Sequence, residues 1–123
     1  MAAKQDFEIW SGNSLDPLIV ELDPSIDLTG TQVVRWWVGK NSKSVGMDVL
    51  IKKSSHPNEG VSLSQDMEGV WTVRIDLLPD DSEDLVGSFY HECEHVTNSG
   101  GVTTLFFGKL KVNPVLIPSD LDI

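Results

Sequence analysis

Apolar and polar residues alternate with a period of two along most of this chain, and clusters of Gly, Pro, Asn and Asp break the alternation at short intervals. That pattern predicts short β-strands, because successive side chains on a strand point to opposite faces. The expected strands cover residues 7–10, 18–22, 32–38, 47–51, 61–64, 71–77, 89–97 and 102–112. In the third of these Val34, Trp36 and Val38 share one face, the expected core face, while Val33, Arg35 and Trp37 share the other. In the sixth, Trp71, Val73, Ile75 and Leu77 are expected to point inward, with Thr72, Arg74 and Asp76 outward. Asn98-Ser99-Gly100-Gly101 supplies residues that accept positive φ, so the last two strands should form a hairpin. Residues 79–84 are too acidic and too rich in breakers for a strand and read as a bend or one helical turn. Residues 52–60 read as a mobile loop.

Seven or eight short antiparallel strands with turns at this spacing indicate an all-β, immunoglobulin-like two-sheet β-sandwich. Its 123 residues are one domain's worth, with residues 1–117 expected to form the sandwich and 118–123 a flexible tail. The chain is 40% hydrophobic and has four Trp and four Phe, enough for a core without disulfides or a structural metal. The lone Cys93 has no intramolecular partner, as suits a reducing compartment. Nine basic against 19 acidic residues give a net charge of -10, which repels nucleic-acid phosphates and anionic lipid. Neither nucleic acid nor membrane is an expected partner, and the N-terminus lacks the apolar stretch of a secretory signal.

His91-Glu92-Cys93-Glu94-His95 matches the H-E-x-x-H pattern, in which two His one helical turn apart bind zinc and the Glu activates water. On a helix the two imidazoles share a face about 6 Å apart, but on a strand they lie ~13 Å apart, beyond one ion's reach. The flanks, Gly87-Ser88-Phe89-Tyr90 and the hairpin signal, are those of a strand. His91, Cys93 and His95 then fall on one strand face, where neighbours ~7 Å apart could chelate an ion; the alternative is a small buried thiol with two hydrogen-bonded imidazoles. Asp80, Asp81, Glu83 and Asp84 lack the spacing of a calcium loop and read as a solvated turn. No catalytic, cofactor or metal residues are assigned. Because Trp36 and Trp37 point to opposite faces, one is expected in the core and the other, Trp37, on an outer face as a contact residue. Trp10 and Tyr90 complete the expected interface set.

The segment Leu85-x-Gly87-x-Phe89 resembles the corner before the sixth strand of immunoglobulin and fibronectin type III domains, with Phe in place of the usual Tyr. Taken in order, residues 7–14, 27–36, 69–75, 87–92 and 108–112 resemble small tailed-phage and prophage structural domains, particularly the N-terminal immunoglobulin-like domain of baseplate upper proteins. The resemblance implies a non-enzymatic tail, baseplate or head–tail component. Its partners would be other phage structural proteins or further copies of itself in a homo-oligomeric assembly, built in the cytoplasm of a bacterial host and carried in the virion. Two other functions fit parts of the sequence: a small metal-dependent hydrolase centred on His91 and His95, and a carbohydrate-binding module stacking sugars on Trp10, Trp36 or Trp37.

Overall fold

The alternation resolves into two sheets in a computed structural model that describes residues 2–12, 17–41 and 49–115. The strands are β1 (Ala3–Lys4), β2 (Phe7–Trp10), β3 (Leu18–Glu21), β4 (Thr31–Gly39), β5 (Val49–Ser54), β6 (Val61–Gln65), β7 (Trp71–Ile75), β8 (Gly87–Thr97) and β9 (Val102–Asn113). A single helical turn, α1 (Pro79–Ser82), stands between β7 and β8. The small sheet has the order β3-β7-β6, and the large sheet runs β9-β8-β4-β5 with β1 and β2 both added to β9. Named by the immunoglobulin convention, β3 to β9 are strands B, C, C′, D, E, F and G, divided into BED and C′CFG sheets. The strand order therefore makes the chain an immunoglobulin-like β-sandwich.

Between the sheets lie Val34, Trp36 and Val38 of β4, Val73 and Ile75 of β7, and Leu105, Phe106, Leu110 and Val112 of β9. Trp36 is fully buried and pairs across the ladder with Cys93 of β8. An antibody domain places one half of its inter-sheet disulfide on strand F, against the Trp of strand C. Here the buried residue of strand B is Val20, so no disulfide joins the sheets.

Several sequence expectations need correction. β1 and β2 run parallel to β9, so the sandwich is not wholly antiparallel. The N-terminal segment therefore joins the CFG sheet instead of the BED sheet. Strict alternation also fails where the ladder shifts register. Between Cys93 and Glu94 the partner moves from Phe106 to Thr104, which lets the adjacent Leu105 and Phe106 both point inward. A similar shift between Thr31 and Val33 buries Val33 beside Val34.

Residues 52–60 are not all loop. Lys52, Lys53 and Ser54 belong to β5, and the turn beyond is closed by hydrogen bonds from Ser54 N to Glu59 O (3.1 Å) and from Asp76 N to Gly60 O (2.8 Å). Lys53 reaches across to Asp81 of α1 in a 2.7 Å ion pair. Val73, Ile75 and Leu77 are buried as expected, but Trp71 is only half-buried at the margin of the core. Met47, within the expected fourth strand, and the tail 118–123 lie outside the described residues.

Trp36→Ala should lower the unfolding free energy by about 3–5 kcal/mol, the cost of emptying a fully enclosed aromatic site. Trp71→Ala should cost about 1–2 kcal/mol, because its ring already meets solvent. Denaturant midpoints of the two variants at equal m-value check the ranking.

Candidate functional site

β8 presents opposite chemistry to its two faces. Inward, His91, Cys93 and His95 are all buried, which bears out the strand reading of the H-E-x-x-H segment. The Trp36 indole N–H donates to His91 Nδ1 at 3.1 Å, and His91 Nε2 bonds the Gln5 carbonyl oxygen. Nδ1 must carry its lone pair to accept, and Nε2 must carry the proton to donate, so the arrangement fixes one neutral tautomer. Burial pushes the imidazole below its ordinary value of 6.5, opposed by the Gln5 hydrogen bond and by Asp6. The Phe7 and Phe106 rings pack on the same imidazole, with centroids 4.9 and 6.0 Å away.

Gly108 makes this contact possible. It sits opposite His91 in the ladder, and a Cβ there would come within 2.3 Å of the Gln5 oxygen and 2.6 Å of Asp6 Oδ1. Asp6 in turn accepts the Lys109 N–H at 2.8 Å, the main reason its carboxyl is held below the usual range. Two residues before the strand-F Cys, where an antibody domain has its corner Tyr, stands His91 and not Phe89. Leu85 and Phe89 pack at the edge of the core instead.

This geometry does not suit a zinc centre built on His91 and His95. Both His91 nitrogens are engaged, so neither offers a lone pair to a metal, and His95 Nδ1 lies 3.4 Å from Thr31 Oγ1 on the far side of Cys93. Burial, reinforced by Glu94 and Glu92, pushes the Cys93 thiol up, which keeps it protonated and unreactive. Among the described residues, His, Cys, Asp and Glu form no group of three or more able to hold a metal ion.

The outward face carries the exposed aromatics. Trp37 lies opposite Lys52 on one side and Glu92 on the other, and 37% of it is exposed. The Lys52 ammonium stands 4.7 Å from its ring centroid and the Arg35 guanidinium carbon 5.9 Å, two cation–π contacts on the same ring. Arg35 is itself ion-paired with Glu94. Tyr90 donates its hydroxyl to Glu92 Oε2 at 2.9 Å, and burial together with that carboxylate pushes its pKa up to about 12. Phe107 completes the cluster opposite Glu92.

Of the three expected contact residues, Trp37 and Tyr90 stand on the outward face of neighbouring strands, and Trp10 stands apart from them. Trp10 is 45% exposed on β2 opposite Asn113, four residues along β9 from the Lys109 that faces Tyr90. Trp36 is sealed in the core, so of the tryptophans considered for sugar stacking only Trp10 and Trp37 are exposed. Lys52, Phe107 and Lys109 carry no signal of a contact role in the sequence, and Glu92 stands out there only as part of the H-E-x-x-H pattern. The placement of Glu92, Phe107 and Lys109 follows from the hairpin at residues 98–101, which sets β8 against β9, and from a bulge that alternation alone does not reveal.

Melting temperature should fall as pH drops from about 7 to 5. The unfolded chain takes up a proton at His91 near pH 6.5 while the folded chain resists it, so stability rises with pH across that window. His91→Gln should cost about 1–3 kcal/mol at neutral pH and flatten this dependence, which thermal scans across the range would register. Calorimetric titration of the folded chain with zinc should give no one-to-one binding; uptake abolished in a His91→Ala, His95→Ala double variant would contradict the hydrogen-bond assignment.

No family model and no curated protein matches the chain. Among solved structures, it is similar to the crystal structure of Dpr1 IG1 bound to DIP-eta IG1. The alignment covers 90% of each chain at 14% sequence identity, with a TM-score of 0.37.

Proposed function

We propose that this chain is a non-enzymatic structural and assembly domain that works by protein–protein contact through the outer face of the large sheet. The observation that carries this reading is Trp37, held at the middle of that face by Lys52 and Arg35 with part of its ring open to solvent. An ordered, partly exposed Trp beside Tyr90 and Phe107 is the composition of a contact hot spot. Tyr90 is hydrogen-bonded to Glu92 and Arg35 to Glu94, which holds both side chains in place before a partner arrives, while the buried Arg35 Nε has no hydrogen-bond partner.

The resemblance of the strand and turn segments to phage and prophage baseplate domains supports a virion as the setting. The partners would then be other phage structural proteins or further copies of the chain, assembled in the cytoplasm of a bacterial host.

Trp37→Ala should leave the melting temperature within a few degrees of wild type, since the ring lies outside the inter-sheet core. It should reduce incorporation of the chain into purified particles by about tenfold or more, a loss of ~1.4 kcal/mol expected for a hot-spot Trp. Equal incorporation of variant and wild type, quantified by immunoblot of gradient-purified particles, would remove this face as the docking surface.

A further inference from the structure

The turn between β6 and β7 holds an apolar side chain in the open. Met67 is 104% exposed, the most exposed large hydrophobic among the described residues, and it stands between two carboxylates, Asp66 and Glu68. The turn is closed by hydrogen bonds from Asp66 N to Val70 O (3.0 Å) and from Gly69 N to Asp66 O (3.1 Å). Asp66 Oδ1 also accepts the N–H groups of Glu68 and Val70 at 2.8 and 2.9 Å. Gly69 takes the positive φ of 86° that completes it. Met67 is thus displayed on a built tip, and nothing in its own molecule packs on it.

On the opposite side of the sandwich, the outer face of the large sheet contains a cavity of about 380 Å³ with the complementary character. Tyr90 and Phe107 line it together with Lys4, Lys40 and Lys109, and Asp6 is the one carboxylate. Lys40, Lys52 and Lys109 are the described cations that form no ion pair with a described residue, and all three stand on this face or at its rim. In a chain of net charge -10, unpaired cations gathered around aromatic rings form a local receptor for an acidic segment.

We propose that this cavity receives the β6–β7 turn of a second copy of the chain, with Met67 on the Tyr90 and Phe107 rings and Asp66 and Glu68 against Lys40 and Lys109. Thioether sulfur packs well on aromatic rings, and the flanking charges fix the direction of entry. Because tip and cavity lie on opposite sides of one molecule, the contact is heterologous. Each copy offers one tip and one cavity, and copies join head to tail without closing as a dimer. The inference rests on the reading of the large-sheet outer face as a docking surface.

The test is sedimentation velocity of the full chain from about 10 μM to 1 mM, a range in which a contact as weak as millimolar becomes half-populated. Wild type should show a weight-average mass that climbs with concentration and passes the dimer value. Met67→Lys and Lys109→Glu should each stay monomeric with unchanged melting temperature, and Met67→Leu should still associate. An equimolar mixture of the two monomeric variants should stop at a one-to-one dimer, because only one intact tip and one intact cavity remain. A wild type that stays monomeric throughout, a wild type that stops at a dimer, or a mixture that stays monomeric would each overturn the proposal. Particle incorporation of Trp37→Ala is read separately, so a monomeric wild type leaves the docking-face reading to its own test.

Discussion

A line of three groups, the Trp36 indole, the His91 imidazole and the Gln5 carbonyl, ties the N-terminal segment to the centre of the sandwich. Each member is held by the polarity of the next. The indole can only donate, so the imidazole must accept at Nδ1; having done so, its remaining proton points at the one nearby carbonyl. A buried imidazole with an unmet nitrogen would cost about 1–3 kcal/mol, so the line is satisfied along its whole length or strains the core. It also explains the backbone around it, since Gly108 has no side chain to block the Gln5 carbonyl and Asp6 holds the chain bend on Lys109 N–H.

The same requirement gives β8 its division of labour. Its inward residues His91, Cys93 and His95 are closed off by packing and hydrogen bonding. Its outward residues pair with neighbours on β4 and β9 and hold the aromatic rings in place. A segment whose letters spell a metalloprotease helix is thus a strand whose imidazoles serve as internal polar ties. The chemistry of the motif depends on its conformation, and the conformation is fixed by the turn residues around it.

Much of this was legible in the residues alone. The alternation from Val34 to Val38 in β4 marks Trp36 as core and Trp37 as exposed, and Asn98-Ser99-Gly100-Gly101 announces the β8–β9 pairing. What escaped was non-local. Nothing in Phe7–Trp10 tells whether it will pair in parallel with a strand a hundred residues away, because its alternation is equally compatible with either sheet. The bulge that turns both Leu105 and Phe106 inward adds a residue to one strand without leaving a mark in composition. Trp71 was placed too deep because alternation gives a side chain's direction but not its distance from the sheet's margin. The polar residues at 52–60 carry no strand signal, yet Lys52 to Ser54 continue β5 and Ser54 Oγ donates to Glu59 at 2.7 Å.

The parallel pairing of β2 with β9 has a mechanical consequence. Phe7 to Trp10 run beside Leu110 to Asn113 in the same direction, so tension applied at the start of β2 and the end of β9 acts along the strands. The hydrogen bonds between them are then loaded together in shear, whereas antiparallel neighbours pulled from adjacent ends would open one bond at a time. A domain with no covalent bridge between its sheets still has, at the points where the chain enters and leaves it, the geometry best able to bear a pulling load.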